Sequence, residues 1–148
     1  MKHMVLGEGN NMAKNERPFA WTVDILRQAK LRPTCQRMGL VKLLFGNGNR
    51  HVCAEQLFKE ARDAGMSLSL ATVYNTLNQF KTAGILQEIL TGGGKTYFDT
   101  TLRSHAHIFC ASKECVEDID SADLKIEMSD ALAERMKNGT IEVVIRIP

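Results

Sequence analysis

The chain has 148 residues, 44% apolar and 24% charged, which suits one ordinary domain or two small ones sharing a core and excludes a disordered chain. No apolar run approaches the roughly 18–20 residues that span a bilayer, and no basic segment followed by an apolar one marks a secretory leader, so the expected location is the cytoplasm, away from membranes. The net charge of +2 hides an asymmetry: residues 1–100 carry 13 Lys and Arg against 8 Asp and Glu, and residues 101–148 carry 6 against 9. A basic first part suits contact with a polyanion, and ordinary scatter of surface charge gives the same figures.

Residues 1–18 are polar, rich in Asn and Gly and without periodicity, which predicts a flexible arm. From Phe19 to Lys30, Trp21, Ile25 and Ala29 recur at helical spacing, with Leu26 beside them. Pro33 breaks that pattern, and Thr34 can cap a second helix that buries Met38, Val41, Leu44 and Phe45 before the Gly46-Asn47-Gly48 turn. A third helix is expected from Ala54 to Ala64, burying Leu57, Phe58 and Ala61 and stopping at Gly65.

A fourth helix begins at the N-cap Ser69 and carries Val73, Leu77 and Phe80 as one apolar stripe ending before Gly84. Its other face presents Thr72, Tyr74, Asn75, Asn78 and Lys81, side chains of moderate length that hydrogen-bond well. Ile85 to Leu90 and Thr96 to Asp99 read as strands joined by the Gly-rich turn Thr91 to Lys95. This order is that of a winged helix-turn-helix, whose last helix enters the major groove while the wing rests on phosphates. The expected fold class is α+β: a winged-helix DNA-binding domain over residues 19–100, then a small α/β dimerisation domain over 101–148.

In that second part, His105 to Cys110, Val116 to Ile119 and Thr140 to Ile147 read as strands. Residues 121–137 carry helical potential, clearest from Ser129 to Lys137, with Gly139 as C-cap. So small a unit has too little interior to stand alone, and pairing with a second copy is expected.

Four cysteines stand at 35, 53, 110 and 115, with no zinc-knuckle spacing, and read as buried or incidental thiols. Histidine is more informative. His105 and His107, two apart on a strand, point to one face. Asp99 ends the wing strand, Asp118 is a cross-strand candidate, and His51 precedes the third helix. Three imidazoles and two carboxylates make a borderline N/O site for a divalent first-row metal. Histidines at a strand surface or core edge give the same spacing, and a histidine placed as His51 is, taken alone, is more often a solvated loop residue.

The stretches Leu31-Arg32-Pro33-Thr34-Cys35-Gln36-Arg37, Ser69 through Phe80, and Thr96-Tyr97-Phe98-Asp99 followed by His105-Ala106-His107 resemble the ferric uptake regulator family. The resemblance covers about Phe19 to Ile119. It looks closest to the iron-response regulators, with a peroxide-responsive assignment open. It implies a regulatory metal site at His51, Asp99, His105, His107 and Asp118, taking Fe²⁺ or Mn²⁺, with Zn²⁺ expected in purified protein. It also implies a homodimeric repressor on an A·T-rich inverted repeat. Tyr74 would lie in the major groove, Arg32 would reach the minor groove, and Arg37, Thr72 and Asn75 would touch bases or phosphates; packing for Arg37 and solvation for Asn75 are the plainer alternatives. Asp at position 118 goes with peroxide sensitivity in the family, which makes His51 and His105 candidates for oxidation.

Departures from the family pattern matter. Only Cys110 matches its usual four-cysteine structural zinc site, Lys113 standing where the next thiol is expected, so no such zinc is expected. The accessory site is eroded at Ser104 and Ala106. The histidine run is shortened to His-Ala-His and no Cys-Pro dipeptide occurs, which weakens haem sensing and leaves it open. A metalloenzyme using the His/Asp cluster is the rival from another class, although no His-Glu-x-x-His helix or nucleophile elbow is present.

Overall fold

The computed structural model describes residues 19–148, so the arm expected over 1–18 lies outside the described residues. Four helices, α1 (Ala20–Gln28), α2 (Cys35–Phe45), α3 (Ala54–Asp63) and α4 (Leu70–Thr82), carry the first half. Each polar cap does the expected work: the Thr34 side chain accepts from the Arg37 N–H, and Ser69 accepts from that of Thr72. Helices α3 and α4 end in paired bonds. Gly65 and Gly84 donate to Arg62 and Lys81, and the residues after them donate to Ala61 and Phe80. Both glycines sit at positive φ, 78° and 76°, the conformation that this closure requires. Helix α1 closes in the same way, but with Lys30 at φ 58°, so the helix ends at Gln28 before Pro33 is reached.

Leu26, Leu40, Val41, Leu44, Leu57, Val73, Leu77, Phe80 and Phe98 form a fully buried core between these helices. Burial of each such side chain contributes about 1.5–3 kcal/mol. The buried stripe of α1 is rotated from the expected one: Thr22 and Leu26 are inside, whereas Trp21 is 38% exposed and Ile25 and Ala29 pack at the edge. The Thr22 hydroxyl tolerates burial because it donates to the Phe19 carbonyl at 2.8 Å. In α2, Leu40 takes the central place, and Met38 and Phe45 are only partly buried.

A three-stranded antiparallel sheet in the order β1-β3-β2 completes this half, from β1 (His51–Cys53), β2 (Gln87–Ile89) and β3 (Tyr97–Asp99). Strand β1 is the element that the sequence pattern did not reveal, and it turns His51 from a loop residue into a strand residue. Strand β2 is shorter than expected because Ile85 closes the end of α4.

The second sheet has the order β5-β4-β6, from β4 (Ala106–Cys110), β5 (Cys115–Ile119) and β6 (Val144–Ile147); β5 is antiparallel to β4 and β6 is parallel to it. The helix expected over 121–137 is reduced to α5 (Asp130–Arg135), capped by Ser129. Asp120 explains the loss. Its carboxylate accepts from the Ala122 N–H and its carbonyl from that of Asp123, a turn that competes with helix. Met136, not Gly139, caps α5.

The two sheets meet. Cys53, Ile89, Tyr97 and Val116 form a second buried cluster, with Phe109 and Val144 against it. The Tyr97 hydroxyl donates to the Glu114 carbonyl at 2.8 Å, and Lys95 pairs with the Glu114 carboxylate at 2.5 Å. The wing therefore leans on the β4–β5 hairpin. No helix among the described residues is long and apolar enough to cross a membrane.

Candidate metal centre and nucleic-acid face

Strand register brings the five expected donors together. His51 and Asp99 are partners across β1 and β3, and His107 and Asp118 are partners across β4 and β5. His105 lies one residue before β4, yet its ring comes to 4.3 Å, centroid to centroid, from that of His107. Asp118 Oδ1 is 2.7 Å from His105 Nε2 and 2.8 Å from His51 Nε2; Asp99 Oδ2 is 3.2 Å from Nε2 of both His105 and His107. One donor atom from each of the five residues lies within 4.8 Å of all the others. Two donors come from the winged-helix sheet, two from the second sheet and His105 from the residue that leads into β4, so the cluster straddles the junction of the sheets.

Burial sharpens the chemistry. Asp99 is 0% exposed and His107 2%, whereas Asp118 is exposed. A bare carboxylate at that depth would be costly, and burial alone would raise the Asp99 pKa. The hydrogen bond from His107, the nearby His51 imidazole and the Thr101 backbone N–H at 2.7 Å overcome this and hold it well below the usual carboxylate range. Burial likewise pulls His51 down, but Asp99 and then Asp118 outweigh it and raise its pKa above the ordinary imidazole value. The carboxylates thus attract positive charge, and imidazole protons are what this set of residues can offer on its own.

A divalent cation fits the same residues. Two carboxylates and three neutral imidazoles balance a 2+ charge, and the mixed N/O set suits first-row ions. His51 Nε2 and His107 Nδ1 are buried without a hydrogen-bond partner; the 2.8 Å approach of His51 to Asp118 is out of line for one. The 4.8 Å spread is about half an ångström wider than bonds of about 2.1 Å would span, so small side-chain shifts close it. His105 is already oriented, its Nδ1–H donating to the Arg103 carbonyl at 2.7 Å and leaving Nε2 toward the cluster.

Residues outside the expected set hold this arrangement. The Arg50 N–H donates to Thr100 Oγ1 at 2.8 Å and the Thr100 N–H to the Arg50 carbonyl at 3.1 Å, extending the β1–β3 pairing beyond His51 and Asp99. The Arg50 guanidinium grips both Glu60 carboxylate oxygens, at 2.6 and 2.8 Å, and ties this junction to α3. Their adjacency in sequence to His51 and Asp99 was the one available signal.

Away from the cluster, α4 turns Asn75 to solvent, with Thr72 and Tyr74 half-buried. Tyr74 packs on the helical core, which fixes its ring. Thr72 Oγ1 is 2.9 Å from Ser69 Oγ. Arg37 donates to the Arg32 carbonyl at 2.9 Å and to Gln79 Oε1 at 2.7 Å, so its guanidinium braces α2 against α4. Arg32 is exposed beside the N-terminus of α2, and a polar cleft between α2 and α4 is lined by Thr34, Arg37, Thr72, Asn75 and Gln79. The five residues expected at DNA thus lie on α2 and α4 or just ahead of α2.

The four thiols are free, with Cys35 exposed, Cys53 and Cys110 buried and Cys115 half-buried.

Comparison with known proteins gives a consistent picture. The profile of the Ferric uptake regulator family matches residues 28–146. The Ferric uptake regulation protein of Shigella flexneri is 40% identical over 103 residues, 69% of this chain and 68% of that protein. The crystal structure of the Vibrio cholerae ferric uptake regulator superposes with a TM-score of 0.65 at 28% identity, over 84% of this chain and 97% of that one. The Pseudomonas aeruginosa ferric uptake regulator, solved with manganese, gives 0.62 at 26% identity, over 85% and 97%.

Proposed function

The chain belongs to the ferric uptake regulator family, and on that footing we propose that it is a metal-responsive transcription regulator. It acts as a homodimeric repressor on an A·T-rich inverted repeat and governs genes of iron and peroxide stress. Residues 19–100 form the DNA-binding domain and residues 101–148 the dimerisation domain. Family membership also sets aside the metalloenzyme reading, since its members are regulators.

The observation that carries this reading is the convergence of His51 and Asp99 from one sheet with His107 and Asp118 from the other and His105 just ahead of β4. A bound Fe²⁺ or Mn²⁺ would supply the positive charge that lets all five donors stay converged without protons. The chain's own residues do the rest. The Thr101 N–H and the Arg103 carbonyl aim Asp99 and His105. The Arg50–Thr100 pairing holds His51 in register, and the second cluster of apolar residues keeps the two sheets in contact. Because the donors belong to two bodies, their convergence favours one relative placement of α4, and thus of two α4 helices in a dimer.

Support for DNA contact comes from the polar face of α4 and the exposed Arg32. A gel-shift series on A·T-rich inverted repeats tests the proposal, with metal-free, Mn²⁺-, Fe²⁺- and haem-treated protein. Sequence-specific binding that changes with metal is the expected result. Absence of specific binding in every state would overturn it, and a response to haem alone would move the signal from metal to haem.

A further inference from the structure

We propose that Cys110 and Cys115 are a peroxide-oxidised dithiol pair that closes reversibly into an intramolecular disulfide, a redox site separate from the His/Asp cluster. The two residues are the last register pair of the β4–β5 ladder, directly opposite each other where the hairpin turns. Directly opposed residues of antiparallel strands have Cα atoms about 4.5–5.5 Å apart with side chains on one face, inside the range of about 4.4–6.8 Å that disulfides span. No other cysteine has such a partner: Cys53 is register-paired with Tyr97, and Cys35 lies exposed in the first turn of α2.

The surroundings divide the labour. Cys110 is 7% exposed and touches Ser112 Oγ at 3.3 Å. Hydrogen bonds from Ser112 and the Lys113 backbone N–H hold its pKa below the ordinary thiol value. Burial and the neighbouring Cys110 raise that of Cys115. Cys110 is therefore the attacking sulfur and Cys115 the resolving one. Residues Ala111 to Glu114 of the turn are all exposed, so a small oxidant reaches the hairpin end from solvent.

The step balances with hydrogen peroxide as oxidant. The Cys110 sulfur attacks one peroxide oxygen, the O–O bond breaks, and a sulfenic acid and one water result. The Cys115 sulfur then attacks the Cys110 sulfur, the S–S bond forms, the S–O bond breaks, and a second water leaves. The two thiol protons end in the waters, and two electrons pass from the sulfurs to the peroxide.

The position gives the event a consequence. Glu114, immediately before Cys115, carries both wing contacts, from Lys95 and from Tyr97. Cys110 also donates to the Pro148 carbonyl at 3.6 Å beyond β6, a bond that it gives up on oxidation. The redox state of the pair is thus read one residue from the wing.

The test uses the full chain, freed of metal by chelation so that no iron can react with the peroxide. After brief exposure to hydrogen peroxide the protein is blocked with iodoacetamide and mapped without reduction. Trypsin cuts after Lys113, between the two sulfurs, so the disulfide holds together two peptides that dithiothreitol separates. That linked pair, missing two hydrogens, is the expected product. Cys110→Ser should abolish it, and Cys115→Ser should leave a sulfenic acid at Cys110 that dimedone traps. Linkage to Cys35, Cys53 or a second chain, oxygen adducts on the thiols without linkage, or no change at either thiol would each overturn the proposal, and the wild-type map alone suffices to decide.

Discussion

His51 and Asp99 face each other as register partners across β1 and β3, with Nε2 3.6 Å from Oδ2. A one-residue slip of β1 would send the His51 side chain to the opposite face, away from Asp99. Asp99→Asn keeps the shape and removes the charge. It should weaken Mn²⁺ binding by about 10–100-fold, on the scale seen when groups supporting a metal are replaced. Calorimetric titration of the metal-free protein reads this directly, and unchanged affinity would exclude Asp99 as a ligand.

The Arg50–Glu60 pair gives the fold an acid-sensitive joint. A bidentate hydrogen bond from Arg50 lowers the Glu60 pKa from its ordinary value of 4.5, against a smaller opposing effect of burial. A carboxylate depressed in the folded state stabilises above its unfolded pKa, and that contribution is lost as pH falls through the folded value. Glu60→Gln should therefore cost roughly 0.5–1 kcal/mol at pH 7, with the difference from wild type shrinking toward pH 3. Urea unfolding at the two pH values measures it. A difference that grows on acidification would contradict the sign.

On α4, Tyr74→Ala should cost about 1–3 kcal/mol of specific DNA binding if the ring meets base edges. Arg32→Ala should instead weaken binding most where A·T-rich flanks narrow the minor groove. Competition gel shifts separate the two. A Tyr74 variant with full affinity and unchanged sequence preference has no part in readout, and equal loss on G·C-substituted flanks removes Arg32 from the minor groove.

Peroxide should mark the cluster when iron is present. Fe²⁺-loaded protein treated briefly with hydrogen peroxide is expected to gain one oxygen on His51 or His105, and to lose DNA affinity. Mn²⁺-loaded protein should resist. Tryptic mass mapping locates the oxygen. Its appearance only on cysteine or methionine, or equally with both metals, would rule out the His/Asp cluster as a peroxide-responsive site and favour iron or haem as the signal read there.

Polar caps and alternation carried most of what could be read in advance. Ser69 and Thr34 announced α4 and α2, and the pairing of His107 with Asp118 followed from two short strands and a turn. What escaped was decided by contacts distant in sequence. Three residues, His51 to Cys53, are too few to show a period, and they become a strand only because β3 lies beside them. Trp21 looked like core, but the helix is rotated so that Thr22 and Leu26 enter. Residues 121–128 had the composition of a helix, and the isolated turn that Asp120 closes stands there instead.

The donor cluster joins His51 to four residues between positions 99 and 118, so no local fragment contains all of it. A cation gathered by all five residues would recognise only the native state, and its binding free energy would add in full to the free energy of unfolding. At a free concentration one hundred times Kd the gain is about 2.7 kcal/mol. The melting temperature thereby becomes a gauge of metal supply. A pool of this protein in metal-poor surroundings would open and be degraded faster than the same pool in metal-rich ones, so abundance as well as occupancy would follow the ion.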